Sequence, residues 1–114
     1  MLAKRHRLTK KNLLEKVKTE GDLYQADSFG MVVLKQEKTG SSRFAFIVST
    51  KISKKAVDRN KITRRLREAV KERLANILNG YDVVFLAKRK IMDKNNSEIV
   101  KEMNRILREA GLIK

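Results

Sequence analysis

The chain has 114 residues, of which 28 are Lys or Arg and 13 are Asp or Glu, so its formal net charge is +15. A hydrophobic fraction of 41% is enough for one small domain, and the charge favours nucleic acid, rather than an anionic membrane surface, as the partner. Cysteine is absent, which excludes disulfides and thiolate metal sites; no signal peptide and no apolar run near the roughly 20 residues of a spanning helix are found, so we expect a soluble intracellular protein.

The N-terminal third predicts a basic arm, residues 1–8, with a short helix behind it. Thr9 is suited to cap that helix, which is expected to run to about Glu20 with Gly21 in the C′ position. Two segments rich in strand-forming residues follow, Phe29–Gln36 and Arg43–Ser49, with a turn between them. We expect these two strands to be antiparallel.

The most basic segment of the chain comes next and precedes a nearly continuous apolar strand. It predicts a helix that begins between Ser53 and Asp58 and ends before Gly80, after which Tyr81–Ala87 forms the third strand. A strand, a helix and a strand in this order indicate a parallel pair of strands with the basic helix as the crossover.

A last helix completes the pattern, with Ser97 as its N-cap and Gly111 at its end. The element order is therefore α-β-β-α-β-α. It predicts an α/β protein, in the form of an α+β sandwich, with helices packed on a small mixed sheet. The whole chain, residues 1–114, is expected to form a single domain that binds nucleic acid.

The basic helix has two distinct faces. Between Lys51 and Arg73 the sequence holds ten Lys or Arg and only three acids. Apolar residues recur there at helical spacing and predict a buried stripe made of Ile62, Leu66, Ala69, Val70 and Ile77. On the opposite face we expect Lys61, Arg64 and Arg65, a fixed array of cations that matches the phosphates of a folded nucleic acid.

The sequence offers no self-contained active site. The only histidine, His6, is expected to be solvated or to contact RNA, while Glu98 and Glu102 complement a helix dipole. Asp58 is expected to cap or screen the basic helix, or else to help hold a hydrated Mg²⁺ beside phosphates. Three interpretations stay open on these grounds: a ribonucleoprotein subunit, a DNA-binding regulator and a stand-alone nuclease. The regulator lacks paired short helices, and the nuclease lacks a catalytic cluster.

The run from Ser49 to Glu68 resembles the signature of the bacterial ribonuclease P protein component, which centres on an R-N-R core. Arg59-Asn-Lys61 stands at that core, and three arginines follow at the family's spacing: Arg64, Arg65 and Arg67. The resemblance covers essentially the whole chain, because the segments Arg43–Val48 and Tyr81–Val84 also fall in the family's order.

The resemblance implies the small subunit of a ribonucleoprotein endonuclease that removes the 5′ leader from precursor tRNA in the cytoplasm. Catalysis then belongs to the RNA subunit, which requires Mg²⁺, and the protein itself has no catalytic residue, metal or cofactor. Its partners are the ribonuclease P RNA and precursor tRNA, with no membrane and no further protein required. The family's crossover is left-handed, against the usual rule. The alternative is a basic RNA-binding protein of another ribonucleoprotein, such as the ribosome.

Two sets of site residues are carried over by position. The set that contacts the RNA subunit comprises Arg59, Asn60, Lys61, Arg64, Arg65 and Arg67, together with Lys51, Lys54 and Lys55 from the loop before the helix. The set for a leader-binding cleft between the first helix and the sheet comprises Leu14, Val17, Lys18, Phe29, Met31, Phe44 and Phe46.

The chain departs from the family pattern at three of these positions. Lys61 replaces an arginine, which keeps the charge but loses the planar fork of the guanidinium. Leu14 and Lys18 stand where the family often has phenylalanine, and stacking on an aromatic ring is worth about 1–3 kcal/mol per base. Leader binding is therefore expected to be less selective for bases and more sensitive to salt.

Overall fold

The computed structural model describes residues 2–114, and the elements below are those found in that range. They are, in chain order, α1 (Lys11–Glu20), β1 (Asp22–Gln25), β2 (Phe29–Lys35), β3 (Arg43–Ile47), α2 (Ala56–Arg73), β4 (Tyr81–Ala87) and α3 (Asn96–Glu109). Short 3₁₀ turns lie at Lys4–His6, Leu74–Asn76 and Arg89–Asp93. The predicted fold class is confirmed, and the one additional strand is β1, which the sequence analysis did not predict.

The four strands form one mixed sheet in the order β1-β2-β4-β3. β2 runs antiparallel to both β1 and β4, whereas β3 runs parallel to β4. The predicted parallel pair with α2 as its crossover is therefore confirmed, and the hand of that crossover stays a prediction. β2 and β3 run in opposite directions as expected, but they are not neighbours, because β4 lies between them.

Side chains on the two faces of the sheet belong to two separate apolar clusters. On one face Phe29, Met31 and Phe85 pack with the buried sides of α2 and α3 in the main core. On the other face Val32 and Val84 pack with residues from α1 and the N-terminal arm in a smaller cluster. The sheet is thus a middle layer, with α1 on one side and the α2–α3 pair on the other.

The close approach of α1 to β2 requires a glycine after the helix. Gly21 follows α1 directly, as predicted, and its backbone is extended, with φ −77°. A Cβ atom at this position would lie 2.6 Å from the Val17 carbonyl oxygen and 2.7 Å from Cγ1 of Val32. The helix begins after Lys10, and the predicted cap, Thr9, lies one residue earlier.

The last helix begins with a reciprocal cap. The Asn95 side chain accepts a hydrogen bond from the Glu98 backbone N–H at 2.9 Å, and the Glu98 carboxylate accepts one from the Asn95 backbone N–H at 3.1 Å. The predicted cap, Ser97, is wrong by two positions. Gly111, with φ 76°, follows the helix as predicted, in the left-handed region that glycine tolerates.

The N-terminal arm packs along the free edge of β3. Leu2 and Leu8 are buried, and the Leu8 backbone N–H donates to the Phe44 carbonyl at 2.9 Å. His6 is buried as well, with Nδ1 2.8 Å from the Ser42 carbonyl oxygen, to which it donates. The expectation of a solvated or RNA-contacting His6 is therefore wrong, because its ring fastens the arm to the segment that enters β3.

Candidate RNA-binding surfaces

The loop that precedes α2 is held in place by its own polar groups. Ser53 Oγ lies 3.1 Å from Asp58 Oδ2 and accepts from the Lys55 backbone N–H at 3.2 Å. Arg59 Nη1 donates to the Ser53 carbonyl at 2.9 Å. Asp58 and Arg59 therefore fix the loop from within the helix, and the exposed Lys54 is carried on a defined backbone.

The α2 surface is the cationic side of this helix and its loop. Its exposed members are Lys51, Lys54, Lys55, Asn60, Lys61 and Arg64, while Arg59, Arg65 and Arg67 are half-buried. The predicted apolar stripe is confirmed within α2, where Ile62, Leu66, Ala69 and Val70 are buried. Ile77 is buried as well, but it lies beyond the end of the helix. Burial of that stripe against the sheet and α3 fixes the direction in which the cations project.

Arg65 differs from its neighbours because its guanidinium turns back onto the protein. Nε donates to Asn96 Oδ1 at 2.8 Å, Nη1 donates to the Ile91 carbonyl at 3.4 Å, and Nη2 donates to the Lys94 carbonyl. The expectation that Arg65 projects freely beside Lys61 and Arg64 is wrong for this reason.

A groove of about 360 Å³ lies beside β3, on the side where the N-terminal arm packs. We call it the β3 groove. Residues 44–47 of β3 form its floor, Leu8 and Leu14 contribute apolar wall, and Arg7 and Arg67 bring positive charge. An apolar floor with cationic sides can take a single strand whose bases face inward and whose phosphates face the arginines.

The structure separates the predicted cleft residues into three groups. Leu14, Phe44 and Phe46 line the β3 groove. Phe29 and Met31 are fully buried in the main core on β2, which β4 separates from β3, and Val17 of α1 is buried in the smaller cluster, so none of these three lines the groove. Lys18 is exposed on α1, 3.8 Å from Glu15 Oε1, and does not line the groove.

Sequence reasoning missed Arg7, Ala45 and Ile47 as groove residues. Strand alternation carried a usable signal, because residues 45 and 47 share the face of β3 that points towards α1. Arg7 could not be found in this way, since its position depends on the docking of the arm beside Phe44.

A second cavity, of about 290 Å³, lies beside α1 at Leu13 and Lys16. Asp82 is buried there and accepts from Nε and Nη2 of Arg43, each at 2.8 Å, and from Gln36 Nε2 at 2.9 Å. At the rim Lys16 Nζ lies 3.1 Å from Glu37 Oε1, and the hydrogen bond and charge of Glu37 raise the pKa of Lys16. The Arg43–Asp82 pair therefore joins β3 to β4, and the Lys16–Glu37 pair joins α1 to the loop after β2.

Within residues 2–114 no group of three or more His, Cys, Asp or Glu side chains is arranged to hold a metal ion. The acids that are buried or half-buried have partners of their own: Asp58 contacts Ser53, Asp82 contacts Arg43, and Glu102 accepts from Ser28. In the same part of the chain, none of the helices has the length and apolar character needed to cross a membrane.

The fold and its two cationic surfaces define a class of protein, the basic RNA-binding subunits of ribonucleoproteins. Comparisons with known proteins identify the family. The model of the ribonuclease P family matches residues 2–111. The ribonuclease P protein component of Pseudanabaena sp. is 28% identical over 99% of this chain and 97% of its own length. That of Symbiobacterium thermophilum is 30% identical over 98% of this chain and 96% of its own.

Solved structures agree in fold. The Staphylococcus aureus ribonuclease P protein has a TM-score of 0.87 at 24% identity, covering 97% of this chain and 100% of that one. The Thermotoga maritima protein has a TM-score of 0.75 at 25% identity, covering 93% and 97%. The chain belongs to the ribonuclease P protein component family, as its motif indicated. It is the accessory subunit of a tRNA-processing ribonucleoprotein endoribonuclease, and it works with the ribonuclease P RNA and precursor tRNA.

Proposed function

We propose that the α2 surface binds the ribonuclease P RNA and that the β3 groove binds the 5′ leader of precursor tRNA. The observation that carries this proposal is the presence of two cationic sites of different shape. One is a convex helix face, suited to a folded RNA, and the other is an apolar groove, suited to an unpaired strand. Arg67 lines the groove from α2 and so lies where the two sites meet.

The α2 surface supports the first half of the proposal through its fixed charges. Lys61 and Arg64 are exposed on a helix whose opposite face is buried, so their spacing is set before RNA arrives. Each phosphate that they neutralise releases counterions, which makes binding depend on salt. Lys61 keeps a phosphate contact that the family's arginine would make, but it gives up bidentate contact with a base edge.

The β3 groove supports the second half through its lining. Leu14 and Phe46 offer apolar contact to bases, and Arg7 and Arg67 offer charge to the phosphates between them. Because Leu14 is aliphatic, less of the binding free energy comes from stacking and more comes from charge. We therefore expect the leader contribution to fall steeply with added salt and to depend little on leader sequence.

We further propose that the RNA subunit holds the Mg²⁺ that the reaction needs. The buried and half-buried acids do not fit this role, because Asp58, Asp82 and Glu102 are engaged by separate partners in different parts of the fold. The protein contributes by placing a net charge of +15 where two polyanions meet, which lowers the Mg²⁺ concentration required for docking. Because its substrate is precursor tRNA, we also propose that the protein acts in the cytoplasm.

The test measures the two binding events separately, with four variants of the full chain. Arg64→Ala acts on the α2 surface, and Arg108→Ala, an exposed arginine near the end of α3, makes the same change in charge elsewhere. Leu14→Glu places a negative charge in the β3 groove, and Leu23→Glu makes the same change on exposed β1. Binding of ribonuclease P RNA, and binding of precursor tRNA with and without a leader to the holoenzyme, are measured across a salt series.

We expect Arg64→Ala to weaken binding of the RNA subunit and to lower its salt slope by about 0.7 to 0.9, the loss of one phosphate contact. We expect Leu14→Glu to spare RNA-subunit binding and to weaken only precursors with a leader, by roughly tenfold or more. The control variants should behave as wild type. Equal effects of Arg64→Ala and Leu14→Glu in both assays would contradict the assignment of two separate surfaces.

A further inference from the structure

We propose that Arg65 is a positioning residue, which builds a second wall beside the α2 surface rather than contacting a phosphate itself. The inference rests on the proposed function, because it assigns a task within the surface that binds the RNA subunit. It concerns the notch between α2 and the start of α3, a recess of about 460 Å³ lined by Lys61, Arg64, Arg65, Asn95 and Asn96.

The Arg65 guanidinium binds the segment that joins β4 to α3. All three of its nitrogens donate, to Asn96 Oδ1 and to the carbonyls of Ile91 and Lys94, and the side chain is half-buried. These acceptors are uncharged, and two of them belong to the backbone. The geometry is that of a clamp on a loop, in which one planar fork fixes three points.

The clamped segment forms the far wall of the notch. Ile91 anchors its inner side in the main core, where it is fully buried. Lys94 lies between Asp27 and Glu98, with its Nζ 3.9 Å from a carboxylate oxygen of each. Asn95 and Asn96 then face Lys61 and Arg64 across the recess. Arg65 therefore sets the width of a site that has cations on one wall and amides on the other.

An RNA backbone seated in this notch would meet charge from α2 and hydrogen-bonding amides from the start of α3. The amide wall carries no net charge, so its contribution to affinity is insensitive to salt, unlike that of Lys61 and Arg64. Loss of Arg65 releases the wall but removes no phosphate contact. A substitution of Arg65 is therefore expected to lower the affinity for the RNA without changing the salt slope.

Lysine cannot replace Arg65 in this role. An ammonium on a flexible stem donates from one point and cannot span Asn96, Ile91 and Lys94 as a guanidinium does. At Arg64, where charge is what matters, lysine should be nearly as good as arginine. The pair Arg65→Lys and Arg64→Lys therefore distinguishes positioning from charge at neighbouring residues of one helix.

The experiment measures binding of ribonuclease P RNA to the full chain across a salt series. Its variants are Arg64→Ala, Arg64→Lys, Arg65→Ala, Arg65→Lys and Asn96→Ala. We expect Arg65→Ala and Arg65→Lys each to weaken binding roughly tenfold, the effect of about one charge-assisted hydrogen bond, with the salt slope unchanged. Arg64→Ala should lower the slope by about 0.7 to 0.9, whereas Arg64→Lys, which keeps the charge, should keep the wild-type slope.

Asn96→Ala tests the same clamp without altering any charge. It should weaken binding in the manner of Arg65→Ala, and the double variant should be little worse than either single one, because both changes release the same wall. Should Arg65→Ala reduce the amount of folded protein, Arg65→Lys and Asn96→Ala still decide the question. A normal affinity for Asn96→Ala overturns the inference.

The outcomes also separate this inference from the proposed function. If Arg65→Lys binds as wild type and Arg65→Ala lowers the salt slope as Arg64→Ala does, Arg65 is a phosphate contact, so the inference fails while the α2 surface stands. If neither Arg64→Ala nor Arg65→Ala changes binding, the α2 surface itself is wrong. Both proposals are supported if Arg64→Ala lowers the salt slope while Arg65→Ala lowers the affinity for the RNA and leaves the slope unchanged.

Discussion

Gly21→Ala should destabilise the protein through a steric clash at the junction of α1 and β1. The new Cβ would lie 2.6 Å from the Val17 carbonyl oxygen, 2.7 Å from Val32 Cγ1 and 2.9 Å from the Val33 carbonyl oxygen. Real Cβ atoms do not tolerate such distances, and two of the three opposing atoms belong to the backbone. Relief requires α1 to move away from β2.

The size of the effect follows from two opposing contributions. Overpacking of this kind costs about 1–3 kcal/mol, whereas replacing glycine by alanine gains about 0.4–1 kcal/mol through the unfolded chain. The net loss in the free energy of unfolding is about 1–2 kcal/mol. For a protein of this size each kcal/mol lowers Tm by about 4 °C, so we expect Tm to fall by about 4–8 °C.

Thermal and urea unfolding measure this loss, and Gly40→Ala is the matched control. The Cβ of that variant would meet only Gln36 Oε1, at 3.7 Å, so its Tm should stay near wild type or rise slightly. Displacement of α1 also moves Leu14, so Gly21→Ala should weaken binding of the leader while sparing binding of the RNA subunit by α2. If Gly21→Ala is as stable as Gly40→Ala, the packing of α1 on β2 does not require a glycine at residue 21.

Two further variants test the polar groups that tie the sheet to its surroundings. Glu102→Ala leaves the buried Ser28 N–H and hydroxyl without their acceptor, so urea unfolding should show a loss of about 2–4 kcal/mol, and Glu102→Gln, which keeps an oxygen for the N–H, should lose less. Asp82→Ala removes the acceptor of Arg43 and should cost about 2–3 kcal/mol, less than a fully buried pair because the arginine is partly exposed. The double variant Arg43→Met/Asp82→Leu should recover part of that loss, and a double variant no more stable than Asp82→Ala would count against this account.

The sequence predicts those elements whose apolar spacing is strong. The stripe through Ile62 and Leu66 defines α2, and the unbroken apolar run defines β4. β1 is different, because Asp22–Gln25 is short and carries one exposed leucine, Leu23, so it forms only through pairing with β2. Local pattern was sufficient for the first two elements and absent for the third.

Strand neighbours could not be derived from chain order. Adjacent strands in sequence usually pair, which favoured β2 beside β3, but β4 lies between them and pairs with both. For β2, the seven residues of β4 are a longer partner than the five of β3. Pairing of this kind is decided by burial across the whole sheet.

In the candidate site, too, local sequence pattern predicted some features, while others depend on the tertiary structure. Alternation shows that Phe29 and Met31 share one face of β2, yet it does not say whether α1 or the α2–α3 pair covers that face. The motif identified Arg65 as a cation on a basic helix, while its actual partners lie 26 to 31 residues further along the chain. Contacts over that distance depend on the tertiary structure.

The central place of β4 has a consequence for how the protein is made. β2 and β3 share no backbone hydrogen bonds, and both are held in the sheet by pairing with β4, which spans residues 81–87. While the chain is being synthesised, the first 80 residues can form helices and the β1–β2 hairpin. They cannot complete the sheet, because the strand that joins β2 to β3 has not yet been made. Folding must therefore wait until most of the chain has left the ribosome, and until then a strongly cationic, open polypeptide emerges beside ribosomal RNA. Late closure of the sheet makes the period just after release the time when this protein is most exposed to proteases and to unproductive association with RNA.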